Sequence, residues 1–472
     1  MDGHGRGFST LTEEITAHPL PVEGDLPQWL SGTLLRNGPA HFEVGNGRVN
    51  HWFDGLGMVR KFAIHGGDVS YSNRFLRSET YQTRMNGDLR LGTFGTAGSQ
   101  GLLKKLKSFV FPEATDNANV TVAQFGTRFV ALTEVPNVVE FEPGTLETVG
   151  HFTFDDDLTG HLSTAHVHHD AARAETVGLL TKFGRRNTYT IYRLPDGTAT
   201  REVVATIETP RPAYTHSFAL TDRYAVLTEV PFTVNPLSFL KPGDDGFIDH
   251  FSWDAAEKTT FIIVDREREA MVATPETDAF FVFHHVNAFQ RDDYLVIDLV
   301  AYPDPRVIQG LYLERLASGK YEGLVGELRR YTVPLTEGDT GRIESESLCE
   351  TPMELPTISP HVRRQPYRYV YGQGSLVEGG TFSNYLVKAD IEERTGTRWS
   401  ESATFCGEPV FVPAPAPARE DDGVVLSVIL DADREASSLL VLDGETFTEV
   451  ARAELPHVLP FDFHGQFFDR VW

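Results

Sequence analysis

The sequence predicts an all-β protein, a seven-bladed β-propeller with loops and short helices capping one face. Two observations carry that reading: a hairpin pattern that occurs seven times, and a scarcity of helical periodicity along 472 residues. The whole of residues 1–472 reads as a single propeller domain, with residues 1–30 as an N-terminal extension.

Each hairpin is an alternating apolar/polar run, a turn rich in Gly, Asp or Pro, and a second alternating run, the period expected of antiparallel strands. The clearest are VVEFEPGTLETVGHFTF from Val138, YTIYRLPDGTATREVVATI from Tyr189 and LLVLDGETFTEVARAEL from Leu439. Weaker copies begin at Met58, Phe261, Arg330 and Tyr385. Without helices to cover a parallel sheet, radial repetition of small sheets is the architecture that fits.

Composition narrows the function. The two cysteines, Cys349 and Cys406, cannot build a disulfide framework or a thiolate metal site, which leaves imidazole and carboxylate as ligand types and points to a reducing compartment. The first residues show no basic-then-apolar leader, and no run reaches the length of a spanning helix, so a cytoplasmic protein is expected. A net charge of -25 argues against nucleic acid as a partner.

The hairpin phase selects particular polar residues. His166, His216, His284 and His464 lie 28, 27, 23 and 25 residues beyond the hairpin starts at 138, 189, 261 and 439. Glu354 and Glu408 lie 24 and 23 residues beyond the starts at 330 and 385. If the strand after each hairpin lines the central channel, these six side chains converge on one axis. The hairpin at Met58 lacks a counterpart at that offset because an insertion follows it.

With 17 histidines in the chain, any single one is more simply a surface or hydrogen-bonded core residue, and the run His166, Val167, His168, His169 could be a solvated loop. Four neutral imidazoles would suit iron, copper or zinc alike. Ligating imidazoles usually donate their other N–H to a carboxylate. Glu354 and Glu408 fit that supporting role, the plainer alternative being a salt bridge in the channel.

Several motifs extend the reading: LLRNGP from Leu34, HWFDGLGMV from His51, TDNANV from Thr115, TAHVHHD from Thr164, YTHSFALT from Tyr214, FHHVNAF from Phe283, EDDGVVLSV from Glu420 and FDFHGQF from Phe461. In these the chain resembles the carotenoid cleavage oxygenase family over nearly its whole length. The resemblance implies a seven-bladed propeller with an axial Fe(2+) held by four histidines, here His166, His216, His284 and His464. It also implies three glutamates hydrogen-bonded to three of them, here Glu134 in LTEV, Glu354 in MELP and Glu408 in GEPVFV. It selects His284 over His285, and iron over zinc. Val167 departs from the family pattern, which commonly has proline there.

By the same resemblance, the expected reaction is O2-dependent cleavage of a conjugated C=C bond in a lipophilic carotenoid or apocarotenoid, giving aldehydes such as retinal. Val120 matches a site that crowds the iron. Thr133 stands where stilbene-cleaving members tend to have lysine, which favours an apolar polyene over a phenolic stilbene. In GLLKKLKSFVF, Leu102, Leu103, Leu106, Phe109 and Val110 recur at helical spacing, with three of the nine lysines beside them. This predicts a helix over 101–111 that docks on the membrane's inner face, or one that covers the propeller's end. Isomerohydrolase chemistry on the same iron scaffold, stilbene cleavage and a non-catalytic binding platform are the competing readings.

Overall fold

The strands that the alternating pattern predicts form seven antiparallel sheets arranged as a seven-bladed propeller. A computed structural model describes residues 3–89, 93–96, 115–240, 246–318, 325–335, 343–375 and 382–472. The expected helix over 101–111, with Leu102, Leu103, Leu106, Phe109 and Val110, lies outside the described residues.

Each predicted hairpin becomes a pair of adjacent strands toward the outside of one blade. The run from Met58 becomes Leu56–His65 and Asp68–Phe75, that from Tyr189 becomes Asn187–Pro195 and Glu202–Thr209, and that from Leu439 becomes Ala436–Asp443 and Glu449–Glu454. Register is unbroken where Leu56–His65 pairs with Asp68–Phe75, and where Glu175–Lys182 pairs with Asn187–Pro195. Burial pins it. A one-residue slip would move every side chain, the fully buried Phe62 among them, to the opposite packed face.

The strand Gly32–His41 shows how blades adhere. Neighbouring side chains on a strand point to opposite faces. Leu34 packs with Phe62, Leu426, Leu439 and Val441 on the side of the last blade, whereas Leu35 packs with Val59, Val122, Phe129 and Ala131 on the side of the second. Both faces of the strand are therefore core.

Two short strands within the expected N-terminal extension, residues 1–30, pair with blades of the ring. Ile15–Leu20 pairs with Asp68–Phe75 in the first blade, and Val22–Gly24 pairs with Glu449–Glu454 in the last. From the other end of the chain, Gly465–Phe468 pairs with Gly32–His41, bringing Gly465 opposite Arg36. The ring is thus fastened by strands from both ends of the described chain. The period-2 pattern misses the N-terminal strands because they are short and lie at sheet edges.

The segments that follow the predicted hairpins carry the selected side chains. His166 sits between the short strands Leu162–Ser163 and His168–Asp170, and His216 just precedes Ala219–Leu220. His284 lies in Phe281–Arg291, Glu354 opens Glu354–Thr357, and His464 immediately precedes Gly465–Phe468. After the Met58 hairpin, the next strand among the described residues is Thr121–Phe125, with Val120 just before it. Short helices, among them Glu79–Met85, Pro236–Leu240, Phe247–His250 and Arg306–Gly310, gather around a cavity that Arg84, Phe239, Phe247 and Val307 help to line. Among the described residues no helix is long and apolar enough to cross a membrane.

Candidate metal centre

Four imidazoles from four places in the chain meet at the propeller axis. The Nε2 atoms of His166 and His216 are 3.0 Å apart, those of His216 and His284 3.2 Å, and those of His284 and His464 3.2 Å. One ring nitrogen from each of the four lies within 4.8 Å of the others.

Carboxylates behind the rings fix which nitrogen faces the axis. His216 Nδ1 lies 2.5 Å from Glu134 Oε1, His284 Nδ1 2.5 Å from Glu354 Oε2, and His464 Nδ1 2.7 Å from Glu408 Oε1. An ionised carboxylate only accepts, so each Nδ1 is the donor and each Nε2 keeps its lone pair toward the axis. His166 has no carboxylate against its ring among the described residues.

The glutamates are themselves held. Tyr214 donates to Glu134 at 2.6 Å, and Tyr302 donates to Glu354 at 2.8 Å. Glu408 accepts from Gly465 N–H at 2.8 Å and from the buried Arg36 guanidinium at 3.1 Å, and Arg36 also pairs with Asp462. Burial pushes the Tyr214 and Tyr302 hydroxyls far above the usual phenol range, and the adjacent carboxylates push the same way, so both remain donors. Burial alone would lift Glu354, but His284, the Leu355 N–H and the Tyr302 hydroxyl hold it below the ordinary range. At Glu408 burial wins and lifts the carboxyl to about 7 against the pull of Arg36, a rise that a cation on the axis would oppose.

Burial and the neighbouring imidazoles drive His166 well below the usual imidazole value. Burial, with His216 and Arg36 beside it, takes His464 down to about 3. Neutral imidazoles with lone pairs some 3 Å apart repel one another, and a cation at their centre removes that repulsion. The donor set therefore fits a divalent metal.

The other histidines of the motifs point elsewhere. His168 Nε2 lies 2.8 Å from the Phe218 carbonyl, and His169 lies 3.0 Å from Asp196. His285 is held between Ser217 and Thr228, 2.8 Å from each hydroxyl. Nothing local in the sequence marks Arg36, Asp462, Tyr214 and Tyr302 as partners of the site. Arg36 and Tyr214 lie within LLRNGP and YTHSFALT, but only the fold shows that they reach the glutamates.

A cavity of about 440 Å³ opens on these imidazoles, its walls including Trp52, Phe53, Phe94, Phe283, Phe382 and Phe463 together with His216, His284 and His464. Val120 and Thr133 also line it. The volume is that of a small-molecule site, and its aromatic walls suit an extended apolar ligand.

A family model for retinal pigment epithelial membrane protein matches residues 8–469. Human Beta,beta-carotene 15,15'-dioxygenase is 33% identical over 527 residues, covering 99% of this chain and 95% of that protein. Carotenoid isomerooxygenase of Galleria mellonella is 31% identical over 500 residues, covering 99% of this chain and 96% of that protein. Among solved structures, cobalt-substituted Synechocystis apocarotenoid oxygenase superposes with a TM-score of 0.86 at 29% identity, covering 99% of this chain and 98% of that one.

Proposed function

The chain belongs to the carotenoid oxygenase family, and from that premise we propose that it cleaves a conjugated C=C bond of a carotenoid or apocarotenoid with O2. His166, His216, His284 and His464 would hold iron(II), and the products would be carbonyl compounds such as retinal. The observation that carries this reading is the placing of four convergent imidazole lone pairs against an aromatic cavity. The reaction balances without a reductant, because the two atoms of O2 become the two new carbonyl oxygens.

Iron(II), when bound, supplies the oxygen activation that side chains cannot. The residues do the rest. Glu134, Glu354 and Glu408 hold the Nδ1 protons of three ligands and so keep Nε2 available. The phenyl walls hold the polyene and exclude water, while Val120 and Thr133 limit the space beside the imidazoles.

Reconstituting the protein with Fe(2+) and supplying β-carotene or apocarotenals under O2 is expected to yield shortened aldehydes with matching O2 uptake. Intact polyene in every incubation would refute the reading, and product formed without O2 uptake would favour isomerohydrolase chemistry. Resveratrol-like phenols are expected to survive.

We also propose a cytoplasmic location with peripheral attachment to the membrane's inner face. In support, Leu237 is 68% exposed on the same short helix whose Phe239 lines the cavity, so an apolar surface adjoins the substrate space. Sedimentation with anionic vesicles tests this; protein that stays in the supernatant would overturn it.

A further inference from the structure

Among the described residues, the cavity wall contains one guanidinium, and no carboxylate on that wall pairs with it directly. Arg84 is 5% exposed and sits on the helix Glu79–Met85. The helix is fixed at its start by Ser78, whose hydroxyl accepts from Tyr81 N–H, and by Asp116, whose carboxylate accepts from Glu79 and Thr80 N–H at 2.8 Å each. Arg84 is thereby held at the cavity through a rigid element.

Its one hydrogen bond among the described residues runs from Nη1 to the backbone carbonyl of Asp54. The Asp54 carboxylate faces other donors, accepting from Phe94 N–H at 2.6 Å, Gly95 N–H at 3.0 Å and Thr96 Oγ1 at 2.7 Å. Among the described residues no carboxylate lies within ion-pair distance of Arg84. A guanidinium carries five N–H donors, so among the described residues most remain unmatched. A buried charge without a partner is costly, and an oxygen acceptor brought in by the ligand would relieve that cost.

Resting on the polyene reading above, we propose that Arg84 binds the terminal oxygen of an apocarotenoid, a carboxylate or carbonyl at one end of the chain. The remaining wall is largely apolar, so this end of the ligand is recognised by charge and the rest by packing. An anchor fixed in the same cavity as the imidazoles also sets how far along the polyene the reacting bond falls. Arg84 thereby determines specificity.

The test is a binding titration monitored by quenching of the fluorescence of Trp52, which lines the cavity. The probes are retinoic acid and a ring-capped polyene hydrocarbon of matching length, titrated into the full-length wild-type, Arg84→Met and Arg84→Lys proteins. Wild type is expected to prefer the acid by about 10- to 100-fold, the range of a charge-assisted hydrogen bond. Arg84→Met should lose that preference while binding the hydrocarbon as before, and Arg84→Lys should keep part of it. Equal affinity of wild type for both probes, or a preference that survives in Arg84→Met, overturns the role of Arg84. Should Arg84→Met lose both probes, Arg84→Lys decides: a reduced preference there supports the role, and an unchanged one overturns it. If neither probe binds any of the three proteins, the polyene reading fails as well.

Discussion

Glu354 illustrates how single residues shape the metal centre. It accepts from His284, Tyr302 and the Leu355 N–H, so every strong contact it makes stabilises the ionised form. Glu354→Gln can present its amide N–H to His284 and disturb the tautomer. We expect metal affinity to fall about 10- to 100-fold, measured by competition with a chromophoric chelator. Tyr302→Phe removes one of the three donors and should have a smaller effect in the same assay.

Legibility varies from residue to residue. Strand phase points to the segments that carry His166, His216, His284 and His464, because antiparallel hairpins write a local pattern into the chain, but only the family resemblance selects His284 over His285. Glu134 has no such phase, since it follows the second strand of its blade, and only the motif LTEV marks it. Arg36 is harder still. Its importance comes from partners at positions 408 and 462, and no local pattern records a contact across most of the chain.

At the scale of elements, the interfaces between blades should dominate stability. Leu34 is fully buried in the seam between the first and last blades. Leu34→Ala is expected to cost about 2–5 kcal/mol, read from the shift in the denaturant midpoint. A second seam is polar: Asp170 is 1% exposed, 2.8 Å from Arg266 and 2.6 Å from Arg364. Asp170→Asn removes a counter-charge the two guanidinium groups share, but Arg266 keeps Glu175 at 2.6 Å and Arg364 keeps Asp222 at 3.4 Å, so it should destabilise by about 1–3 kcal/mol.

The same carboxylate gives a pH dependence with a defined sign. Burial would raise Asp170, but Arg364 and Arg266 hold it below its ordinary value of 3.8. Its stabilising contribution is therefore complete above 3.8 and is lost as pH falls through the lower folded value. Denaturation curves should show wild type and Asp170→Asn separated by a constant gap near neutrality that narrows only below about pH 4. A gap unchanged down to strongly acid conditions would contradict that sign.

For the whole molecule, the net charge of -25 predicts self-repulsion in the folded state. Added salt should raise the melting temperature, with most of the gain reached by about 0.15 M, where the screening length is about 8 Å. Calorimetry across a salt series checks it, and a flat response would show that local ion pairs already absorb the charge. The architecture is readable at this scale because seven repeats reinforce one another. The closure is not, because Ile15–Leu20 and Val22–Gly24 borrow their partners from strands that only the fold brings near.

That closure has a consequence for synthesis. A ribosome delivers the chain from its N-terminal side, so the segments bearing His166, His216 and His284 emerge and fold while the strand after His464 is still to be made. The first blade must wait, with Gly32–His41 unpaired along one edge, for Gly465–Phe468 to arrive. Ring closure and completion of the ligand set are then one event. Nascent protein should be unable to take up metal with full affinity, and any chaperone that guards it has an exposed strand edge to recognise.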